Sequence, residues 1–190
     1  ANNDTDKQSQ FFDYEEISKV TIRRIDNLLY YSFNDGEYVL FEDYTNFVNK
    51  FDVPVTFGAA LDVNGNPFRY FTGTLSNMYI KFLSGDVDTP VNDFQTVFKR
   101  DGEVVFDGTN YIDTGIRLFD EKNVNRDFEL SFTIDSISDS VESFGTLVNS
   151  LSESGDYPGF LFRTVDARYE IVANNDTDKQ SQFFDYEEIS

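Results

Sequence analysis

The feature that most constrains this fold is a series of short segments in which large apolar side chains alternate with polar ones. The clearest is FELSFTIDSI (128–137), which places Phe128, Leu130, Phe132 and Ile134 on one face. This is the two-residue period of a half-buried β-strand. About twelve such segments follow one another, separated by turn residues such as those at Asn34-Asp35-Gly36. We therefore predict an all-β sandwich or barrel.

Only residues 42–51 have a spacing that fits a short helix, because aromatic and aliphatic side chains recur there three, four and seven positions apart. Residues 84–93 (SGDVDTPVND) are the most linker-like stretch, combining Gly, Pro, Ser and acidic side chains without any period. If the chain has a boundary, we expect it there. The length otherwise fits one domain over residues 1–190.

The two ends of the chain carry the same 18 residues, ANNDTDKQSQFFDYEEIS, at 1–18 and again at 173–190. Three origins fit this identity: an engineered permutation with overlapping ends, an excerpt of a tandem array, or a recent natural duplication. The aromatic part of the segment can pack only once in a sandwich, so we predict that the other copy is a tail or docks on a neighbouring molecule. The predicted assembly contacts are Phe11, Phe12 and Tyr14, with their counterparts Phe183, Phe184 and Tyr186.

Charge and composition exclude several classes of function. The formal net charge of -20 disfavours binding to nucleic acid or to an anionic membrane surface. The sequence contains no Cys and no His, which excludes disulfides, thiolate or imidazole metal sites and Ser-His-Asp catalysis. Neither a signal peptide nor an apolar run long enough to cross a membrane is visible.

Several phrases resemble laminin G-like domains, which belong to the concanavalin A-like lectin and glucanase group. FDGTNYIDTGIRLF, followed by DFELSFTI, GTLVNS and GFLFR, resembles the opening half of that family. KVTIRRIDNLLYYSFNDGEYV and FRYFTGTLSNMYIKFL resemble its middle hairpin and its closing segment, with Gly73, Leu75 and Ile80 at the matching positions. The closing half (19–83) thus precedes the opening half (94–172). The resemblance implies a circularly permuted, two-sheet antiparallel jelly-roll sandwich.

This fold group contains lectins, adhesion modules, hydrolases and structural spacers. Its glycosidases use a Glu-x-Asp-x-x-Glu phrase that the chain lacks, and Asp13-Tyr14-Glu15 offers only two carboxylates. We therefore predict no enzymatic activity. The resemblance implies a non-catalytic carbohydrate-binding or adhesion module of a surface, secreted or phage virion protein, hence an extracellular location. The alternative is a structural repeat or self-assembling fibre subunit without a ligand.

Two kinds of binding site are predicted. Asp62, Asn64 and Asn66 alternate as in many calcium loops, although Asn64-Gly65 is also ordinary hairpin chemistry. Asp107 and Asp113 are a second calcium candidate, with turn formation as their alternative role. The candidates for glycan binding are Arg23, Tyr30, Tyr31 and Tyr157, because sugar faces stack on exposed aromatic rings beside hydrogen-bonding groups. One of Tyr30 and Tyr31 should leave the core. Aromatic side chains that reach the surface without a role are the alternative.

Overall fold

A computed structural model describes residues 10–13, 17–43, 53–83, 94–120, 122–123, 126–138, 144–151, 159–166 and 168–174. Over these ranges the chain forms fifteen β-strands and no helix. In chain order the strands are β1 (Gln10–Asp13), β2 (Lys19–Ile25), β3 (Leu28–Phe33), β4 (Val39–Asp43), β5 (Thr56–Phe57), β6 (Ala60–Leu61), β7 (Pro67–Phe68), β8 (Thr72–Leu83), β9 (Phe94–Arg100), β10 (Val104–Asp107), β11 (Ile112–Asp113), β12 (Phe128–Ile137), β13 (Phe144–Asn149), β14 (Gly159–Val165) and β15 (Arg168–Asn174). Within the same ranges, no helix is available that could cross a membrane.

The strands form two large antiparallel sheets and one small hairpin. The six-stranded sheet has the order β1-β15-β14-β13-β5-β11. The seven-stranded sheet has the order β10-β8-β12-β2-β3-β4, and β9 also pairs with the long strand β8. The two-stranded sheet is β6-β7. The prediction of an all-β sandwich is confirmed, whereas the jelly-roll connection and the permutation stay predictions.

Phenylalanine rings from the two large sheets meet between the layers and form the centre of the core. Phe128 of β12 stacks on Phe160 of β14, with ring centroids 6.0 Å apart. The ring centroids of Phe132 and Phe162 lie 6.1 Å apart. All four rings are fully buried. Because side chains of a strand alternate between faces, Phe128, Leu130 and Phe132 fill this layer, while the residues between them face away from it.

Two tight turns connect β2, β3 and β4. The predicted turn at Asn34-Asp35 is confirmed, with φ values of 52° and 59°. The preceding turn at Asp26-Asn27 has φ values of 50° and 66° and was not predicted. Asn and Asp tolerate this left-handed region because their short polar side chains bond locally. Of the predicted helix, Glu42 and Asp43 belong to β4 and residues 44–51 lie outside the described residues, as does the linker-like stretch 84–93.

Residues 10–13 and 17–18, which belong to the first copy of the duplicated segment, form part of the sandwich. Strand β1 pairs with β15 at the end of the six-stranded sheet. Ile17 is 5% exposed and belongs to the core, and the carbonyl of Ser18 accepts a hydrogen bond from the Ile134 amide at 2.8 Å. Of the predicted assembly contacts, the backbone of Phe11 and Phe12 lies in β1. The others, Tyr14, Phe183, Phe184 and Tyr186, lie outside the described residues.

Candidate binding site on the outer face of the seven-stranded sheet

The outer face of the seven-stranded sheet is polar, because the residues between the buried positions of each strand point away from the core. Strand pairing aligns them in rows across the sheet. The first row contains Leu40, Tyr30, Arg23, Glu129, Lys81 and Thr96. The second contains Ser32, Thr21, Ser131, Tyr79 and Lys99. With neighbouring strands about 4.8 Å apart, the first row is about 24 Å long.

Glu129 lies at the centre of this face and holds three neighbouring side chains. Its Oε2 atom accepts the Arg23 Nε hydrogen at 3.0 Å and a second, short hydrogen bond from Arg23 Nη2. Its Oε1 atom accepts the hydroxyl hydrogen of Tyr79 at 2.8 Å, and Lys81 Nζ lies 3.9 Å from the same oxygen. The Glu129 side chain is 9% exposed, against 32% for both Arg23 and Lys81. The carboxylate is therefore a fixed acceptor beneath two more accessible cations.

The network shifts the pKa values of its members in opposite directions. Burial alone would raise the pKa of Glu129, but the hydrogen bonds from Arg23 and Tyr79 and the charges of Arg23 and Lys81 outweigh it and lower that pKa. Burial, followed by the hydrogen bond to Glu129 and its negative charge, raises the pKa of Tyr79. Glu129 is thus a carboxylate and Tyr79 a neutral phenol at neutral pH.

Tyrosine rings flank this network. Tyr38 is 41% exposed, and the Arg23 guanidinium carbon lies 4.4 Å from its ring centroid. Tyr30 is half-buried on β3 directly opposite Arg23, so the prediction that one of the two adjacent tyrosines leaves the core is confirmed. Tyr31 has to be removed from the predicted ligand set, because it is 4% exposed and packs at 5.0 Å from Phe33 within the core. Burial raises its pKa to about 12. Tyr157 lies outside the described residues.

A groove of about 300 Å³ opens at the Tyr79 end of the same face. The groove lies beside a β-bulge in β8, where Asn77 adopts a φ of 50° and the register with β12 shifts between Ser131 and Thr133. A bulge of this kind bends a strand and re-aims its side chains, which leaves space beside them. The groove is lined by Lys19, Asn77, Met78, Tyr79, Lys99, Asp101 and Thr133.

The second row is held by hydroxyl hydrogen bonds. The hydroxyl oxygens of Thr21 and Ser131 lie 3.0 Å apart. Ser131 Oγ also donates to the Val20 carbonyl at 2.9 Å, and Ser32 Oγ donates to the Gly36 carbonyl at 2.8 Å. All three hydroxyl side chains are buried. The second row is consequently uncharged at these three positions, and its hydroxyl groups are already hydrogen-bonded within the protein.

Ion pairs balance the charge of this surface within a strongly acidic protein. The Lys19 Nζ atom lies 2.5 Å from Asp35 Oδ1, and the Lys99 Nζ atom lies 2.9 Å from Asp101 Oδ2. Together with Arg23, Lys81 and Glu129, these pairs bring four cationic and three anionic side chains together, in a chain with a net charge of -20.

The predicted calcium loop forms the turn between β6 and β7. The Asp62 carboxylate accepts the amide hydrogens of Asn64 and Asn66, each at 2.8 Å, and the Asn66 side-chain amide donates to it at 3.0 Å. These bonds lower the pKa of Asp62, with the Asn66 side chain contributing most. The contacts are those of a hairpin turn. Asp107 forms a similar turn, accepting from the Thr109 hydroxyl and amide. Among the described residues, no three acidic side chains cluster as metal ligands would, and calcium binding stays a prediction.

Sequence reasoning found Arg23 and Tyr30 but missed Glu129, Tyr79 and Lys81. The alternation in FELSFTIDSI marks Glu129 as outward-facing, and that in NMYIKFL does the same for Tyr79 and Lys81. Their meeting depends on β2, β12 and β8 being neighbours, although they are far apart in the chain. A charged residue between two apolar residues of a strand was the available signal, as in Phe128-Glu129-Leu130 and Ile80-Lys81-Phe82.

No protein-family model, characterised protein sequence or solved structure matches the chain. The fold places it in the class of all-β sandwich proteins. The laminin G-like relationship stays a prediction that rests on the quoted sequence phrases.

Proposed function

We propose that the protein is a non-catalytic carbohydrate-binding module whose ligand lies along the outer face of the seven-stranded sheet. The observation that carries this proposal is the row of Tyr30, Arg23, Glu129 and Lys81, with Tyr38 beside it. Tyrosine rings offer flat apolar surfaces, and the guanidinium, ammonium and carboxylate groups offer fixed donors and acceptors for hydroxyls.

The dimensions and charge of the face favour this ligand class over others. A row about 24 Å long suits an extended oligomer better than a single small molecule. Arg23, Glu129 and Lys81 are already held by one another, so these side chains lose little rotamer freedom on binding. The cations of the face are paired with carboxylates, which suits an uncharged saccharide, and the -20 charge of the whole chain opposes polyanions such as nucleic acid.

The absence of catalysis is part of the proposal. Glycoside hydrolysis ordinarily requires two carboxyl groups, one on each side of the scissile bond. Glu129 is the one carboxylate among the described members of the central network, and its hydrogen bonds from Arg23 and Tyr79 keep its pKa low. A low pKa suits a hydrogen-bond acceptor and not a general acid. A surface, secreted or virion protein would carry such a module outside the cell.

The test is a glycan array probed with the full chain, followed by calorimetric titration of each saccharide that binds. We expect Tyr38→Ala and Tyr30→Ala to weaken binding by about three- to tenfold, the value of one aromatic contact. Tyr111→Ala is the matched control, since Tyr111 is half-buried, packs against Tyr70 and precedes β11 of the other sheet. If no saccharide binds, or if Tyr38→Ala and Tyr30→Ala bind as the unmodified chain does, the proposal is wrong.

A structural or fibre-forming subunit is the second candidate, and the duplicated terminal segment is the observation that favours it. A spare edge strand can join a neighbouring sheet by β-augmentation. Such a subunit would form filaments visible by electron microscopy, and it would show no response to saccharides. A mass in solution that does not change with concentration would count against it.

A further inference from the structure

The groove on the outer face of the seven-stranded sheet lies to one side of the row that carries the proposed function. The row crosses β2 at Arg23 and β12 at Glu129. Thr133, which lines the groove, lies four residues after Glu129, and Lys19, directly opposite Thr133, lies four residues before Arg23. A strand rises about 3.4 Å per residue, so the far side of the groove is about 14 Å from the row. The groove therefore extends from the row along the strand direction.

The near end of the groove touches the row. Tyr79 lines the groove and Lys81 belongs to the row, and the two residues lie on the same face of β8, where both contact Glu129. The Lys81 Nζ atom lies 4.1 Å from the centroid of the Tyr79 ring. A group that leaves the row at Lys81 thus reaches the groove by crossing this ring. The row and the groove form one continuous, L-shaped surface.

The volume of the groove suits a single ring and not an oligomer. It is about 300 Å³, whereas pockets for small molecules range from about 300 to 1,000 Å³. Every residue that lines it belongs to the described part of the chain. One sugar ring fits this space, while the row beside it is long enough for several.

The charged groups of the groove favour an uncharged occupant. Lys19 is paired with Asp35 and Lys99 with Asp101, so each ammonium group already has a carboxylate beside it. The Asp101 side chain lines the groove and is 70% exposed. An acidic sugar would bring a second carboxylate close to Asp101, and two like charges repel each other.

The backbone of the groove presents polar groups that suit sugar hydroxyls. Asn77 is exposed and holds a left-handed φ of 50° at the bulge in β8, a feature that re-aims side chains beside binding sites. Thr133 is half-buried across the groove. The Asn77 amide and the Thr133 hydroxyl can each donate and accept hydrogen bonds, and the Tyr79 ring adds an apolar surface.

We propose that the bound saccharide carries a short, uncharged side branch and that the groove holds the last sugar ring of this branch, a step that rests on the proposed function. The main chain of the saccharide lies along the row, and the branch leaves it near Lys81. The ligand class is thereby narrowed from saccharides in general to branched, neutral ones.

The test is an array on which each main chain is printed with and without a branch, followed by calorimetric titration of every pair that binds the full chain. The probes are xylohexaose with its arabinosyl- and glucuronosyl-branched forms, mannohexaose with its galactosyl-branched form, and β-1,3-linked glucohexaose with its glucosyl-branched form. We expect a neutral branch to lower the Kd about tenfold relative to the same main chain without it. The glucuronosyl branch should give no such gain.

Variants of the groove connect this preference to its residues. Thr133→Phe places a ring in the groove and keeps a residue that strands favour, so the ratio of unbranched to branched Kd should fall to about one. Val105→Phe is the matched control, since Val105 is 66% exposed on the same sheet and does not line the groove. Asn77→Gly keeps the positive φ and removes the amide, and it should lower the ratio about threefold.

The outcomes separate this proposal from the function on which it rests. Binding of saccharides with a Kd ratio of about one in the unmodified chain overturns the branch and leaves the proposed function standing. A ratio that neither Thr133→Phe nor Asn77→Gly changes also overturns it, and Asn77→Gly decides if Thr133→Phe does not fold. Binding of no saccharide, branched or unbranched, overturns both.

Discussion

Removing the Glu129 carboxylate should destabilise the protein, and the size of the effect depends on how deeply that carboxylate is buried. In Glu129→Ala, Arg23 loses two hydrogen bonds and the Tyr79 hydroxyl loses its acceptor. The two ends of the network respond differently. The Arg23 guanidinium is 32% exposed and can regain water, whereas the half-buried Tyr79 hydroxyl has less access to it.

The size of the effect lies between two known limits. Breaking a fully buried ion pair costs about 3–5 kcal/mol, while an exposed pair contributes about 0–1 kcal/mol. With Glu129 at 9% exposure and Arg23 at 32%, we expect a loss of about 2–3 kcal/mol in the free energy of unfolding. For a chain of this length that corresponds to a fall of about 5–10 °C in Tm.

The measurement is urea unfolding of Glu129→Ala, Arg23→Ala and the double variant, followed by tyrosine fluorescence, since the chain has 11 Tyr and no Trp. A double-mutant cycle should give a coupling of about 1.5 kcal/mol between the two residues. Asp35→Asn is the matched control: it removes the charge from the exposed Lys19–Asp35 pair, keeps a residue that tolerates a φ of 59°, and should cost less than about 0.5 kcal/mol. A coupling energy below about 0.5 kcal/mol would refute this account of the network. A loss of stability in Asp35→Asn as large as that in Glu129→Ala would refute it as well.

Two further predictions follow from particular contacts. Gly73→Ala should lower the free energy of unfolding in urea by about 3 kcal/mol, because its Cβ would lie 2.4 Å from the Ser136 carbonyl oxygen and 2.5 Å from the Phe71 ring. Gly65→Ala is the control, since its Cβ would meet no atom within 4 Å. It should cost about 1 kcal/mol, for the φ of 79° at that position. The stability advantage of the unmodified chain over Glu129→Gln should depend on pH. The folded pKa of Glu129 is lowered, so the advantage is complete above the unfolded value of about 4.3 and is lost as the pH falls through the folded pKa. An advantage that grows on acidification would contradict this sign.

The fold class could be predicted from the sequence because strand periodicity is local. Phe128, Leu130 and Phe132 share a face in any strand, and the structure buries all three. The turn at Asn34-Asp35 was predictable for the same reason, since its chemistry lies within two residues. The turn at Asp26-Asn27 was missed because it lacks the glycine that usually marks such a turn, although both residues adopt positive φ.

The site was only partly predictable because it depends on which strands become neighbours. Arg23 and Tyr30 lie in one hairpin, so sequence reasoning could place them together. Glu129 reaches Arg23 through a pairing between residues more than a hundred positions apart. Nothing local distinguishes that register from one shifted by two residues, in which the same faces would be buried but the Arg23–Glu129 contact would be absent.

The candidate site and strand β1 lie on different sheets, and the Asn34 side chain contacts the segment that leads from one to the other. The segment that leads from β1 to the binding face passes through Ser18 and Lys19. The Asn34 side-chain oxygen accepts hydrogen bonds from both of their amides, at 2.9 Å and 3.0 Å. Asn34 therefore fixes the start of β2 independently of β1.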